Sequence, residues 1–116
     1  GGSSRVIFTA GEAGEVKLPG VEEENITVRL LTPVDFEAKA KPYLIELAPR
    51  AELPGHFFFH KGEEVGYLIS GKLQVRVGGA TYPLKAGETI YLTGEIPTAW
   101  KNPGPTPAKL LWVAVR

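Results

Sequence analysis

Gly55-His56-Phe57-Phe58-Phe59-His60-Lys61-Gly62-Glu63-Glu64-Val65-Gly66-Tyr67-Leu68-Ile69-Ser70-Gly71 is the stretch on which the fold turns. It holds both histidines of the chain and a Glu-Glu pair set between two apolar runs. Side chains alternate across the two faces of a strand. An extended Gly55–His60 would place His56, Phe58 and His60 on one face and Phe57 and Phe59 on the other. Three consecutive phenylalanines point to a segment buried on both sides, with polar groups admitted at one end. Phe57 and Phe59 would then need cover from another sheet, a second subunit or the chain's own N-terminal strands.

Outward from this stretch the chain offers short β-type runs between turn residues. They are Arg5–Thr9, Glu15–Leu18, Ile26–Leu31, Tyr43–Leu47, Phe57–His60, Gly66–Ser70, Lys72–Val77, Ala80–Leu84, Thr89–Leu92, Ala99–Lys101 and Lys109–Val115. The one helix candidate, Pro33–Lys41, is short and ends at Pro42. Evenly spaced strands with Gly and Pro between them predict an all-β, antiparallel sandwich or barrel. The clearest alternation is Lys72–Val77, with Leu73, Val75 and Val77 toward a core and Lys72, Gln74 and Arg76 toward water. Gly78-Gly79 then supplies a two-residue hairpin turn, since both positions accept φ > 0. The almost wholly apolar run Leu110–Val115 reads as a central strand or one covered on both faces.

A length of 116 residues suits one domain. Gly1–Ser4 reads as a linker or expression remnant, leaving 5–116 as the folded unit. The 13 Lys and Arg balance 13 Asp and Glu, so the basic footprint of a nucleic-acid binder is missing. There is no cysteine, hence no disulfide or thiolate site, which agrees with a cytoplasmic protein. Neither a membrane span nor a secretory leader is expected. The acidic triplet Glu22–Glu24 reads as a solvated loop.

The opening stretch, taken with Gly87–Asn102, resembles the cupin family. Its first motif runs Gly, a gap, His-x-His, three or four residues, Glu, six residues, Gly, and His60, Glu64 and Gly71 fall at those spacings. In the second motif Gly87 and Asn102 match, while Thr93-Gly94-Glu95 replaces Pro-x-Gly. The resemblance implies a jelly-roll barrel of two antiparallel sheets with little or no helix. The wording His60-Lys-Gly-Glu-Glu-Val-Gly-Tyr-Leu, with Ile96–Asn102 and Leu110-Leu111-Trp112, is most similar to cupin sensor domains that follow a helix-turn-helix in bacterial transcriptional regulators. It implies a small-molecule ligand, a homodimer, and DNA contact only through an attached domain.

Metal-binding cupins hold their ion with four side chains, and those positions fall here on Phe58, His60, Glu64 and Thr98. Phenylalanine offers no donor and threonine a poor one. His56 lies four residues from His60, roughly 13 Å along an extended strand, too far to substitute across Zn–N bonds of about 2 Å. No tightly held metal is therefore expected; a weakly held divalent ion on His60 and Glu64, completed by Glu63, water or a ligand carboxylate, is the alternative. His60 and Glu64 read equally well as an ion pair or hydrogen bond left after loss of a metal site. The functional reading is a ligand pocket of Phe58, His60, Glu64, Thr98 and Trp100, with the carboxylate and the aromatic rings suited to an amine. Trp100 shares the parity of Thr98 and Asn102 and would face inward, if only as a core indole. Tyr43, Leu68 and Tyr91 read as core packing before pocket lining, and His56 as a loop or strand-entry residue. Lys61-Gly62 reads as a turn and Glu63 as exposed. The expected function is non-catalytic sensing; the alternatives are a metal-dependent cupin oxygenase, isomerase or decarboxylase and a purely structural dimerisation domain.

Overall fold

A computed structural model describes residues 5–22, 24–58 and 62–116. The first four residues, Glu23, Phe59, His60 and Lys61 lie outside it.

Ten strands are described: β1 Gly14–Val16, β2 Ile26–Leu30, β3 Ala40–Leu47, β4 Glu52–Leu53, β5 Glu63–Ser70, β6 Lys72–Val77, β7 Ala80–Lys85, β8 Thr89–Leu92, β9 Ala99–Lys101 and β10 Ala108–Val115. They form two antiparallel sheets, one ordered β1-β2-β3-β10-β5-β8 and the other β4-β9-β6-β7. This is the expected all-β jelly-roll. Its only helical element among the described residues is a single 3-10 turn at Ala10–Glu12.

The period-2 pattern sets which side chains enter. On β6, Leu73 and Val75 are buried and Val77 packs against the core. Gly78 and Gly79 have φ of 59° and 82°, which closes the β6–β7 hairpin as their sequence requires. β10 lies between β3 and β5 and buries Ala108, Leu110, Trp112 and Ala114, so the apolar C-terminal run is a central strand. Asn102 fastens the end of β9. Its Nδ2 donates to the carbonyls of Leu47, Ala48 and Thr106 at 3.1, 3.1 and 2.8 Å, and its Oδ1 accepts from Gly104 N–H at 2.9 Å.

Two expectations change and one strand is added. Arg5–Thr9 joins neither sheet; Val6 and Ile7 are exposed and find no apolar surface to cover. Glu52–Leu53, too short to show a period, pairs with β9. Most consequentially, Phe57 and Phe58 are not in a strand. The side chains of His56 and Phe57 are both buried, although neighbours on a strand must face opposite ways. The irregular backbone after β4 turns both side chains into the space between the sheets. Phe57 thus needs no second subunit to cover it: its ring lies 5.1 Å from that of Trp100 and 6.3 Å from that of Trp112.

Candidate functional site

Glu64 is one of two buried polar or charged residues, with Asn102, among those described. It is the first inward-facing position of β5. The next inward position is Gly66, opposite Trp112 of β10. A Cβ at Gly66 would stand 2.5 Å from Cε3 and Cζ3 of Trp112, so the absent side chain makes room for the indole. The indole, seated over Gly66, directs Nε1–H to Glu64 Oε1 at 3.1 Å.

From the other sheet comes Trp100 of β9, held between Leu53 and Val75 by the pairing of β4, β9 and β6. Its Nε1–H donates to His56 Nδ1 at 3.1 Å. His56 Nε2 lies 3.0 Å from Glu64 Oε1. A chain of hydrogen bonds, Trp100 to His56 to Glu64, with Trp112 joining at the carboxylate, therefore ties the two sheets together across the core.

The donor inventory assigns the imidazole. An indole N–H can only donate, so Nδ1 of His56 must present its lone pair. A neutral imidazole with a bare Nδ1 carries its hydrogen on Nε2, which donates to Glu64. Oε1 of Glu64 thus receives two N–H groups in a buried setting, where unmade hydrogen bonds are most costly. The surrounding rings complete the packing: His56 lies nearly parallel to Trp100 at 6.1 Å and edge-on to Trp112 at 5.3 Å, and the two indoles meet edge-on at 5.6 Å.

The five residues singled out from the sequence are not all brought together. Glu64 and Trp100 join through His56. Phe58 is half-buried, with its ring 4.4 Å from that of Tyr43 and 6.1 Å from His56. Tyr43 is partly buried beside it, which pushes its phenol above the ordinary value. Thr98 is exposed, and its hydroxyl is aimed at the Arg76 carbonyl at 3.4 Å. Trp100 and Asn102 share the inward parity; Thr98, just before the strand begins, does not. His60 lies outside the described residues. Tyr91 and Glu63 are exposed and hydrogen-bonded to one another, whereas Leu68 is core.

Two members of the network escaped the sequence reading. His56 was judged by strand spacing, which does not apply to a loop. Trp112 stood in an apolar run that gave no sign of a polar partner; the signal was Gly66, a residue without bulk on the neighbouring strand.

As a donor set for a divalent ion the described positions are poor. Phe58 has no donor atom, Thr98 Oγ1 is turned to a carbonyl, and Oε1 of Glu64 and both nitrogens of His56 are engaged. No group of three or more His, Asp or Glu suited to a metal ion occurs among the described residues.

A family model described as a cupin domain matches residues 43–114. The chain is similar in structure to the Cupin_2 domain of an XRE family transcriptional regulator from Enterobacter cloacae. The TM-score is 0.67 at 24% identity, over 78% of this chain and 96% of that one. An RmlC-like cupin from Shewanella frigidimarina gives a TM-score of 0.69 at 19% identity, over 97% and 91%. A sugar phosphate isomerase of the cupin superfamily from Silicibacter pomeroyi gives 0.67 at 17%, over 80% and 60%. At these identities the likeness is one of fold. No curated protein matches the chain.

Proposed function

Since the chain belongs to the cupin family, we propose that it is the small-molecule-sensing domain of a bacterial transcriptional regulator, non-catalytic and without a tightly bound metal. The observation that carries this reading is the closed network of Trp100, His56, Glu64 and Trp112. Metal-dependent chemistry needs an ion with open positions. Here one oxygen of the carboxylate at a family ligand position, Oε1 of Glu64, accepts both N–H groups, and two of the other three positions hold Phe58 and Thr98. The structural likeness to the cupin domain of an XRE regulator supports the regulatory setting, and the balanced charge agrees with DNA contact through an attached helix-turn-helix rather than through this domain. Such a domain works in the cytoplasm. Among the described residues no helix is long and apolar enough to cross a membrane.

The domain acts as a homodimer. The outer face of the six-stranded sheet carries a connected apolar surface. Leu111 pairs with both Leu44 and Tyr67, and Val113 pairs with Val65. Tyr67 and Ile69 are each nearly half exposed there, at 45% and 47%. A second copy would cover them.

A thermal-shift screen of metabolite classes tests the sensing role, because a ligand that binds only the native state raises the apparent Tm. A saturable rise with one class is expected. Failure of every class would favour a purely structural dimerisation domain.

A further inference from the structure

A second concavity lies away from the network, where the two sheets part. Among the described residues β7 pairs only with β6, and β8 only with β5, so each is an edge of its sheet. Between these edges lies a cleft of about 480 Å³, within the size range of small-ligand sites. Its floor is apolar, made by Val75, Val77, Leu84, Ile90 and Leu92. Tyr82 faces the same side as Val75, its register partner, yet is 53% exposed because the opposite sheet stops short of it.

The rim is acidic. Glu88 and Glu95 line the cleft, and among the described residues no Lys, Arg or His does so. Both carboxylates are held by their own loops. Glu88 Oε1 accepts from Lys85 N–H at 2.6 Å, and Glu95 accepts from the Thr93 N–H and hydroxyl at 3.0 and 2.9 Å. A carboxylate has about four lone-pair sites, so these bonds fix each group in place and leave acceptor capacity facing outward. Glu63 adds a third carboxylate beside the rim residue Tyr91, whose hydroxyl donates to it. Tyrosine faces attract cations.

The edge itself excludes one class of occupant. Pro83 sits in β7 and has no N–H to offer, so an extended peptide adding a strand to this edge would meet a gap in the ladder. A compact molecule is favoured.

We infer that this cleft binds a small organic cation with an apolar or aromatic body, its ammonium or guanidinium group between Glu88 and Glu95 and its body on Val75, Leu84 and Leu92. The inference rests on the reading of the chain as a small-molecule binder and moves the ligand from the barrel centre to the gap between the sheets.

The test is a titration of the isotopically labelled chain, followed by amide NMR, with phenethylammonium, phenethyl alcohol and 3-phenylpropanoate. Saturable shifts at Tyr82, Leu84, Leu92 and Glu95 are expected, with the ammonium compound binding most tightly. In Glu88→Gln/Glu95→Gln, whose amide oxygens can still accept from the Lys85 and Thr93 N–H groups, its affinity falls roughly fivefold, as two exposed charge pairs allow, while that of the alcohol is unchanged. Equal binding of the carboxylate, or no loss in the double variant, overturns the assignment of a cation. Shifts centred on Glu64 and Trp100, or none with any probe, overturn the cleft. The sensing role fails separately, when no metabolite class stabilises the chain.

Discussion

His56 joins the two sheets through a core that is otherwise mainly apolar, with Asn102 tying them at one end. Replacing it with alanine leaves the Trp100 N–H and part of the Glu64 carboxylate without partners in a buried place, each worth about 1–3 kcal/mol. We expect His56→Ala to lose about 3 kcal/mol of stability in urea unfolding. A loss below about 1 kcal/mol would mean that water or neighbouring groups satisfy the network without it. Nitrogen-15 spectra of the imidazole should show the hydrogen on Nε2, and hydrogen on Nδ1 would contradict the bond from Trp100. Glu64 could be singled out from the sequence because motif spacing falls on it regardless of backbone detail. The partners of His56 could not, because they depend on the course of the loop that carries it.

At the scale of elements, strands with a strict alternation and a glycine turn were readable to within a residue, as Lys72–Val77 and Ala80–Lys85 demonstrate. The segments that went astray were those whose course is set by what they pack on. Arg5–Thr9 has strand-forming residues but is held by side chains. Phe8 packs on Phe36 with ring centroids 4.8 Å apart, and Arg5 grips Glu12 through both guanidinium nitrogens at 2.6 Å. The Arg5 hydrogen bond, then the Thr9 N–H, lowers the Glu12 carboxyl from 4.5 to about 2. A carboxyl lowered on folding adds stability above its unfolded value and loses it as pH falls through the folded one. The attachment of this segment should therefore be intact at pH 5 and be lost as pH falls from about 4.5 toward 2. The Thr9 amide, which donates to Glu12, is the probe: its shift should titrate near the lower end of that range, and a midpoint near 4.5 would show that the Arg5 clamp does not form.

For the whole molecule, the two sheets leave three surfaces with different prospects: a closed core network, an apolar outer face and an acidic cleft between free edges. The outer face predicts the oligomeric state. Light scattering on the chain should give twice the monomer mass, and Tyr67→Arg, opposite Leu111 at the centre of the face, should return it to the monomer while keeping the fold. A monomeric unaltered chain would contradict the pairing. The jelly-roll itself was legible because turns and alternation repeat along the chain; the cleft was not, because it arises where two edge strands, distant in register, fail to meet. The central claim is that the barrel centre is closed by hydrogen bonds among side chains rather than by an ion. Elemental analysis of the chain, purified free of metal, incubated with zinc, iron, manganese and nickel in turn and then dialysed, tests it most directly. Far less than one ion per chain is expected for every metal. One ion per chain that survives dialysis and disappears in Glu64→Ala would contradict it and return the metal-dependent cupin enzyme as the better reading.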